Sequence, residues 1–158
     1  MKTTRAKAAA PDPWSVGAIM TPQPVTIGQK ESLATAHRLM RSHGVRHLPV
    51  LEHGDLVGIL SQRDLLFLET IRGVDTDADT VEDAMTTDTY SVSPETPIAT
   101  VAKQMSRKRY GCAVVMERGR VAGIFTATDA LRIVAAVVPA AGASPPRAAR
   151  RTVSQASD

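Results

Sequence analysis

Residues 16–66 align with residues 81–131 without a gap, at a constant offset of 65 residues, and 13 of the 51 pairs are identical. A repeat of this kind fixes architecture before any single element is assigned, because the copies must bury the same apolar faces against each other. The identities are Val16/Val81, Met20/Met85, Thr21/Thr86, Ala34/Ala99, Thr35/Thr100, Met40/Met105, Val50/Val115, Glu52/Glu117, Gly54/Gly119, Gly58/Gly123, Ile59/Ile124, Asp64/Asp129 and Leu66/Leu131. With two copies only, each longer than a solenoid unit, the pattern predicts a pseudo-twofold pair whose halves face each other.

Each copy reads alike. Ser15 or Thr80 opens a short helix, and Thr80 with Asp83 has the spacing of a capping box. A brief extended segment follows, residues 24–27 in one copy and 89–92 in the other. Leu33, Ala36 and Met40, matched by Ile98, Val101 and Met105, then fall at i, i+3 and i+7 on one helical face. Thr96 followed by Pro97 fits a capping residue and a proline at a helix start. Two strands come next, residues 47–51 and 56–60, repeated at 113–116 and 121–125, each pair joined through a glycine turn. A last helix opens after Ser61 and after Thr126. The expected class is α/β (α+β): two pseudo-symmetric units, each a small sheet flanked by helices, packed sheet to sheet. The boundaries expected are a first repeat over 14–70, a linker over 71–79 and a second repeat over 80–138. Basic tails over 1–13 and 139–158 are too poor in apolar surface to pack and are expected to be disordered.

Charge and length narrow the function. Of the net charge of +3, residues 1–15 and 139–158 carry +2 each, leaving −1 for the middle, so a nucleic-acid-binding core is not indicated. The 158 residues leave no room for a large catalytic domain beside a cofactor domain, and no apolar run reaches the roughly 18 to 20 residues of a membrane helix. The absence of a signal-peptide core and a single cysteine, Cys112, point to the cytoplasm.

The chemistry concentrates where the last strand of each copy meets the last helix: Gly58-Ile-Leu-Ser-Gln-Arg-Asp64 and Gly123-Ile-Phe-Thr-Ala-Thr-Asp129. Ser61/Asp64 and Thr126/Asp129 can be capping devices that place negative charge at the positive end of a helix dipole. The alternative is a nucleotide cleft. A helix start offers free N–H groups to an anion, an Asp there can accept from a ribose diol, and Gly58 and Gly123 mark the close approach of a ligand or of another backbone.

The span from about residue 14 to 138 resembles a tandem pair of cystathionine-β-synthase (CBS) domains, the Bateman module. The resemblance rests on the Met20-Thr21 and Met85-Thr86 openings, the Gly44-Val-Arg-His-Leu-Pro-Val50 segment, and the Gly-Ile-x-[Ser/Thr]-x-x-Asp ending of both copies. It implies a pair with two clefts, often a homodimer forming a flat disc, that binds AMP, ADP, ATP or S-adenosylmethionine as a regulatory ligand, as in energy sensing. By position, Asp64 and Asp129 would hold ribose hydroxyls, with Ser61 and Thr126 near ribose or phosphate. Thr26, Val45 and Pro49, and Ser91 with Tyr110, would line base slots, and Arg46 and Arg63 would meet phosphate in the first copy. The second copy departs from this, with Gly111 for Arg46, Thr128 for Arg63 and Val114 for Pro49. Arg107, Lys108 and Arg109 either supply that charge or form a solvated helix end.

The remaining candidates have plainer readings. His37, His43, His47 and His53 lack metal spacing and read as surface or edge residues. Cys112 reads as a small buried apolar residue, Met20, Met40, Met85 and Met105 as core fillers, and Asp75, Asp77 and Asp79 as a polar linker. Trp14 docks either on the core or on a partner. The functional expectation is a stand-alone regulatory module, not an enzyme, that senses an adenosine compound without a cofactor and signals to a protein partner in trans. The alternative is a dimerisation module with no ligand.

Overall fold

The structure, a computed structural model, describes residues 12–139. Nearly all of the two expected tails lies outside the described residues. The elements run α1 (Val16–Ile19), β1 (Thr21–Pro22), β2 (Ile27–Gly28), α2 (Leu33–His43), β3 (His47–Glu52), β4 (Asp55–Ser61), α3 (Gln62–Glu69), α4 (Val81–Ala84), β5 (Ser91–Val92), α5 (Ile98–Lys108), β6 (Cys112–Glu117), β7 (Arg120–Thr126) and α6 (Ala127–Val137).

The apolar periodicity places the two long central helices. Leu33, Ala36 and Met40 of α2, and Ile98, Val101 and Met105 of α5, are the buried faces. The Ser32 hydroxyl caps α2 by accepting from the Thr35 N–H, and Gly44 ends it in the left-handed conformation. α5 begins differently from the sequence expectation: Pro97 itself is the capping residue, in extended backbone, and the Thr96 side chain does not cap. Ser15 likewise makes no side-chain cap. It is buried, and its backbone bridges to Pro97. Thr80 and Asp83 do form their capping box, with the Thr80 N–H and hydroxyl both 2.9 Å from the Asp83 carboxylate.

Two small sheets result. One has the order β2-β3-β4, the other β1-β7-β6-β5; the hairpins β3-β4 and β6-β7 are antiparallel and the outer strands β2 and β5 run parallel to their neighbours. The sheets meet along β4 and β7.

The opening segment of each repeat belongs to the other repeat's core. β1 pairs with β7, and Val16 is buried among Phe125, Ala113 and Val115. In the other direction, Thr86 exchanges two 2.9 Å backbone hydrogen bonds with Ile59, and Val81 is buried among Leu48, Val50 and Leu60. This exchange explains the strand glycines. A Cβ on Gly58 would lie 2.6 Å from the Met85 sulfur and 3.1 Å from the Thr86 carbonyl oxygen, and one on Gly123 would collide with the Met20 sulfur. The close approach at these glycines is therefore that of the other copy's Met-Thr segment, and it is not a ligand contact. Gly123→Ala is expected to lower stability by about 1–3 kcal/mol, as overpacking does, read as a lower urea midpoint. An unchanged midpoint would contradict the crossing.

Candidate functional site

One cavity of about 1030 Å³ opens between the repeats and takes lining from both. Its floor is the pair of strand-to-helix junctions. At each junction a strand-entry carbonyl satisfies the first helical N–H: Gln62 donates to the Arg46 carbonyl at 2.8 Å, and Ala127 to the Gly111 carbonyl at 3.0 Å. Hydroxyl and carboxylate then cap each helix start, so the capping reading holds in both copies, but the two carboxylates end up differently committed.

Asp64 accepts from the Ser61 hydroxyl at 2.5 Å through Oδ2, and its own N–H donates back to the Ser61 oxygen. Its Oδ1 accepts no hydrogen bond among the described residues. Asp129 is buried, at 7% exposure, and both its oxygens are in use. Oδ2 takes the Thr126 N–H at 2.8 Å and the Thr126 hydroxyl at 2.7 Å, while Oδ1 takes Arg132 at 3.1 Å. The free acceptor therefore lies in the first copy.

Val45, Arg46, Ser61, Arg63, Asp64, Tyr110, Thr126, Thr128 and Asp129, all named from the sequence, line this cavity. Three others do not: Pro49 is fully buried in the sheet, Thr26 is half-buried and Ser91 exposed, all away from the lining. Of the basic run, Arg109 lines the cavity and Arg107 and Lys108 do not. Arg46 does more than serve its own copy. Its Nη2 crosses to the second repeat and donates to the Thr128 hydroxyl at 3.1 Å.

Sequence reasoning missed Tyr90. Its ring stacks on Tyr110, with centroids 5.5 Å apart and planes 19° apart, and the Tyr110 hydroxyl reaches Asp88 at 3.4 Å. The available signal was compositional: these are the chain's two tyrosines, at the repeat positions of Val25 and Val45.

His47, read from the sequence as a surface or edge residue, is packed into the cavity. A Cβ on Gly111 would lie 2.5 Å from its Nε2, so only glycine there admits the imidazole. Burial, and then the Arg46 charge, hold His47 below the ordinary imidazole value; Asp64 opposes them and Arg63 adds to them. Below about pH 6.5 the unfolded chain therefore binds more protons at this residue than the folded one, and stability falls as pH drops through that window. His47→Gln is expected to show a shallower loss between pH 7 and pH 5.5 in urea titrations than the parent. Equal slopes would contradict this burial.

Cys112 also touches the cavity, but burial pushes its thiol up to about 12, which makes it a protonated, unreactive group at neutral pH. No cluster of His, Cys, Asp or Glu among the described residues can hold a metal ion, and no described helix is long and apolar enough to cross a membrane. The Asp75–Asp79 segment closes on itself, with the Asp75 N–H on the Asp79 carboxylate at 2.8 Å and the Asp77 N–H on that of Asp75 at 3.0 Å. Trp14 is exposed.

Two interlocked repeats thus enclose one shared cavity, with a capped carboxylate at each strand-to-helix junction. The chain belongs to the CBS-domain family, whose model matches residues 16–69 and 81–136. It is 38% identical over 106 residues to the inosine-5'-monophosphate dehydrogenase of Korarchaeum cryptofilum, covering 66% of this chain and 21% of that enzyme's length. Among solved structures, it is similar to the CBS domain pair of protein MJ0100 in complex with 5-methylthioadenosine and S-adenosyl-L-methionine. That match has a TM-score of 0.68 at 26% identity and covers 77% of this chain and 96% of that one. It is also similar to CBSX2 in complex with AMP, with a TM-score of 0.68 at 26% identity, covering 78% and 98%.

Proposed function

We propose that the chain is a regulatory module without catalytic activity that binds an adenosine-containing ligand, AMP, ADP, ATP or S-adenosylmethionine, between its repeats. Binding changes the geometry of the pair and is read by a protein partner. The observation that carries this reading is the Asp64 carboxylate. It stands at the start of α3 beside Arg63, in a cavity shared by both repeats, with one oxygen open to a ribose diol. The ligands held by the related MJ0100 and CBSX2 pairs support the ligand class. The protonated thiol of Cys112 argues against nucleophilic chemistry beside His47.

A ligand that touches both repeats favours whichever arrangement lets both touch it, by no more than its difference in affinity for the two arrangements. The apolar faces of α3 and α6 support assembly of two copies: Phe67 is 69% exposed and Leu131 68%, with Leu66, Val134 and Val137 beside them on the same helices. The cytoplasm, where adenine nucleotides report energy status, is the compartment that fits this role.

Calorimetric titration with AMP, ADP, ATP and S-adenosylmethionine, against the guanosine nucleotides, tests the reading. Saturable binding confined to adenosine compounds is expected. No binding by folded protein would replace it with a dimerisation module that has no ligand.

A further inference from the structure

We infer that the two ends of the shared cavity, a first cleft at Asp64 and a second at Asp129, are not equivalent: the Tyr90–Tyr110 stack closes the base slot of the second, and the chain takes a single adenosine ligand, in the first. This rests on the adenosine-binding reading above and adds its stoichiometry and the residues that set it.

Three observations converge. At the repeat positions of Val25 and Val45, the aliphatic side chains that line the cavity in the first copy, the second copy carries two aromatic rings already stacked on each other at 5.5 Å. A base inserted between them would need about two stacking distances of roughly 3.4 Å, more than the rings leave. The second cleft's carboxylate is also occupied, since Asp129 has both oxygens filled by Thr126 and Arg132. The counterparts of the first copy's two arginines are missing as well, and the cations that line this end are Arg109 and Arg132. Gly111 and Thr128 stand where the first copy has Arg46 and Arg63, and His47 fills the space over Gly111.

Arg46 shows where the remaining cation goes. It spans the boundary to Thr128, and among the described residues its guanidinium makes that one hydrogen bond and no ion pair. A ligand seated by Asp64 therefore shares the cavity with a guanidinium already tied to the second repeat, and the first cleft draws on both halves of the molecule. Of the features that close the second cleft, the tyrosine pair is the determinant. Arg132 is 75% exposed, and a ribose hydroxyl, itself a donor, can replace it on the buried Asp129 without leaving that carboxylate unpaired.

The test is the AMP stoichiometry of the full chain beside that of Tyr90→Val/Tyr110→Val, which rebuilds the second cleft in the pattern of the first. One AMP per chain is expected for the parent, and a second, weaker AMP for the variant. Two sites in the parent, or one site in a folded variant, would overturn the inference and leave adenosine binding intact. Absence of binding by any adenosine compound would overturn the reading beneath it as well. A second readout does not depend on the variant folding. The two tyrosines give resolvable ring signals in NMR, and saturating AMP is expected to shift the Val45 methyl signals while leaving the tyrosine rings nearly unmoved. Ring shifts as large as those of Val45 would place the ligand in the second cleft and overturn the inference.

Discussion

Phe125→Ala is expected to cost about 3–5 kcal/mol of folding free energy, the range for removing a fully buried aromatic side chain and leaving a cavity. Phe125 has no exposure and sits on β7 among Val16, Val101, Ala113 and Val115, where the exchanged opening segment of the first repeat meets the sheet of the second. A domain of this size is stable by only about 5–15 kcal/mol, so the loss removes a fifth or more of the whole. Because Val16 comes from the other repeat, the variant is expected to loosen both halves together. Urea unfolding followed by circular dichroism should show one transition at a much lower midpoint. A loss below about 1 kcal/mol would mean that the two cores do not depend on this ring.

The second large effect is on binding. Asp64→Asn is expected to weaken AMP binding by about tenfold to a hundredfold, the range for losing hydrogen bonds to a charged acceptor. The cost to stability should be small. The α3 cap is held by the Asp64 N–H on the Ser61 hydroxyl, which the substitution keeps, and the lost charge at the helix start is worth about 0.3–1 kcal/mol. Calorimetry and urea unfolding on the same protein separate the two effects. Unchanged AMP affinity would remove Asp64 from the site.

Much of this was legible in the sequence because it is local. The buried faces of α2 and α5, both hairpins and both strand-to-helix junctions follow from spacing within a few residues, and the 65-residue repeat checks each reading against its copy. The exchange of opening segments was not legible. α1 and α4 precede cores of the same shape, and nothing within residues 16–22 says which of the two they will join. The pairing of Thr21 with Ile124 is a contact across most of the chain.

The site divides in the same way. Asp64, Asp129, Ser61 and Thr126 were found because the helix start places hydroxyl and carboxylate three residues apart. The pairing of Arg132 with Asp129 was readable in principle as an i, i+3 ion pair on one helix. The crossing of Arg46 to Thr128 and the stacking of Tyr90 on Tyr110 were not, since each joins side chains whose proximity depends on how separate segments are folded together. Gly58 and Gly123 were noticed for the right reason, close approach, and the approaching group is the chain itself.

Thermal unfolding with and without AMP is the direct test of the adenosine ligand proposed for the cavity between the repeats. A ligand that binds only the folded state, at 100 times its dissociation constant, adds about 2.7 kcal/mol, which for a domain of this length raises the midpoint by about 5–11 °C. That rise is expected with AMP, little or none with GMP, and most of it is expected to be lost in Asp64→Asn. An unmoved midpoint at saturating concentrations of every adenosine compound would contradict it.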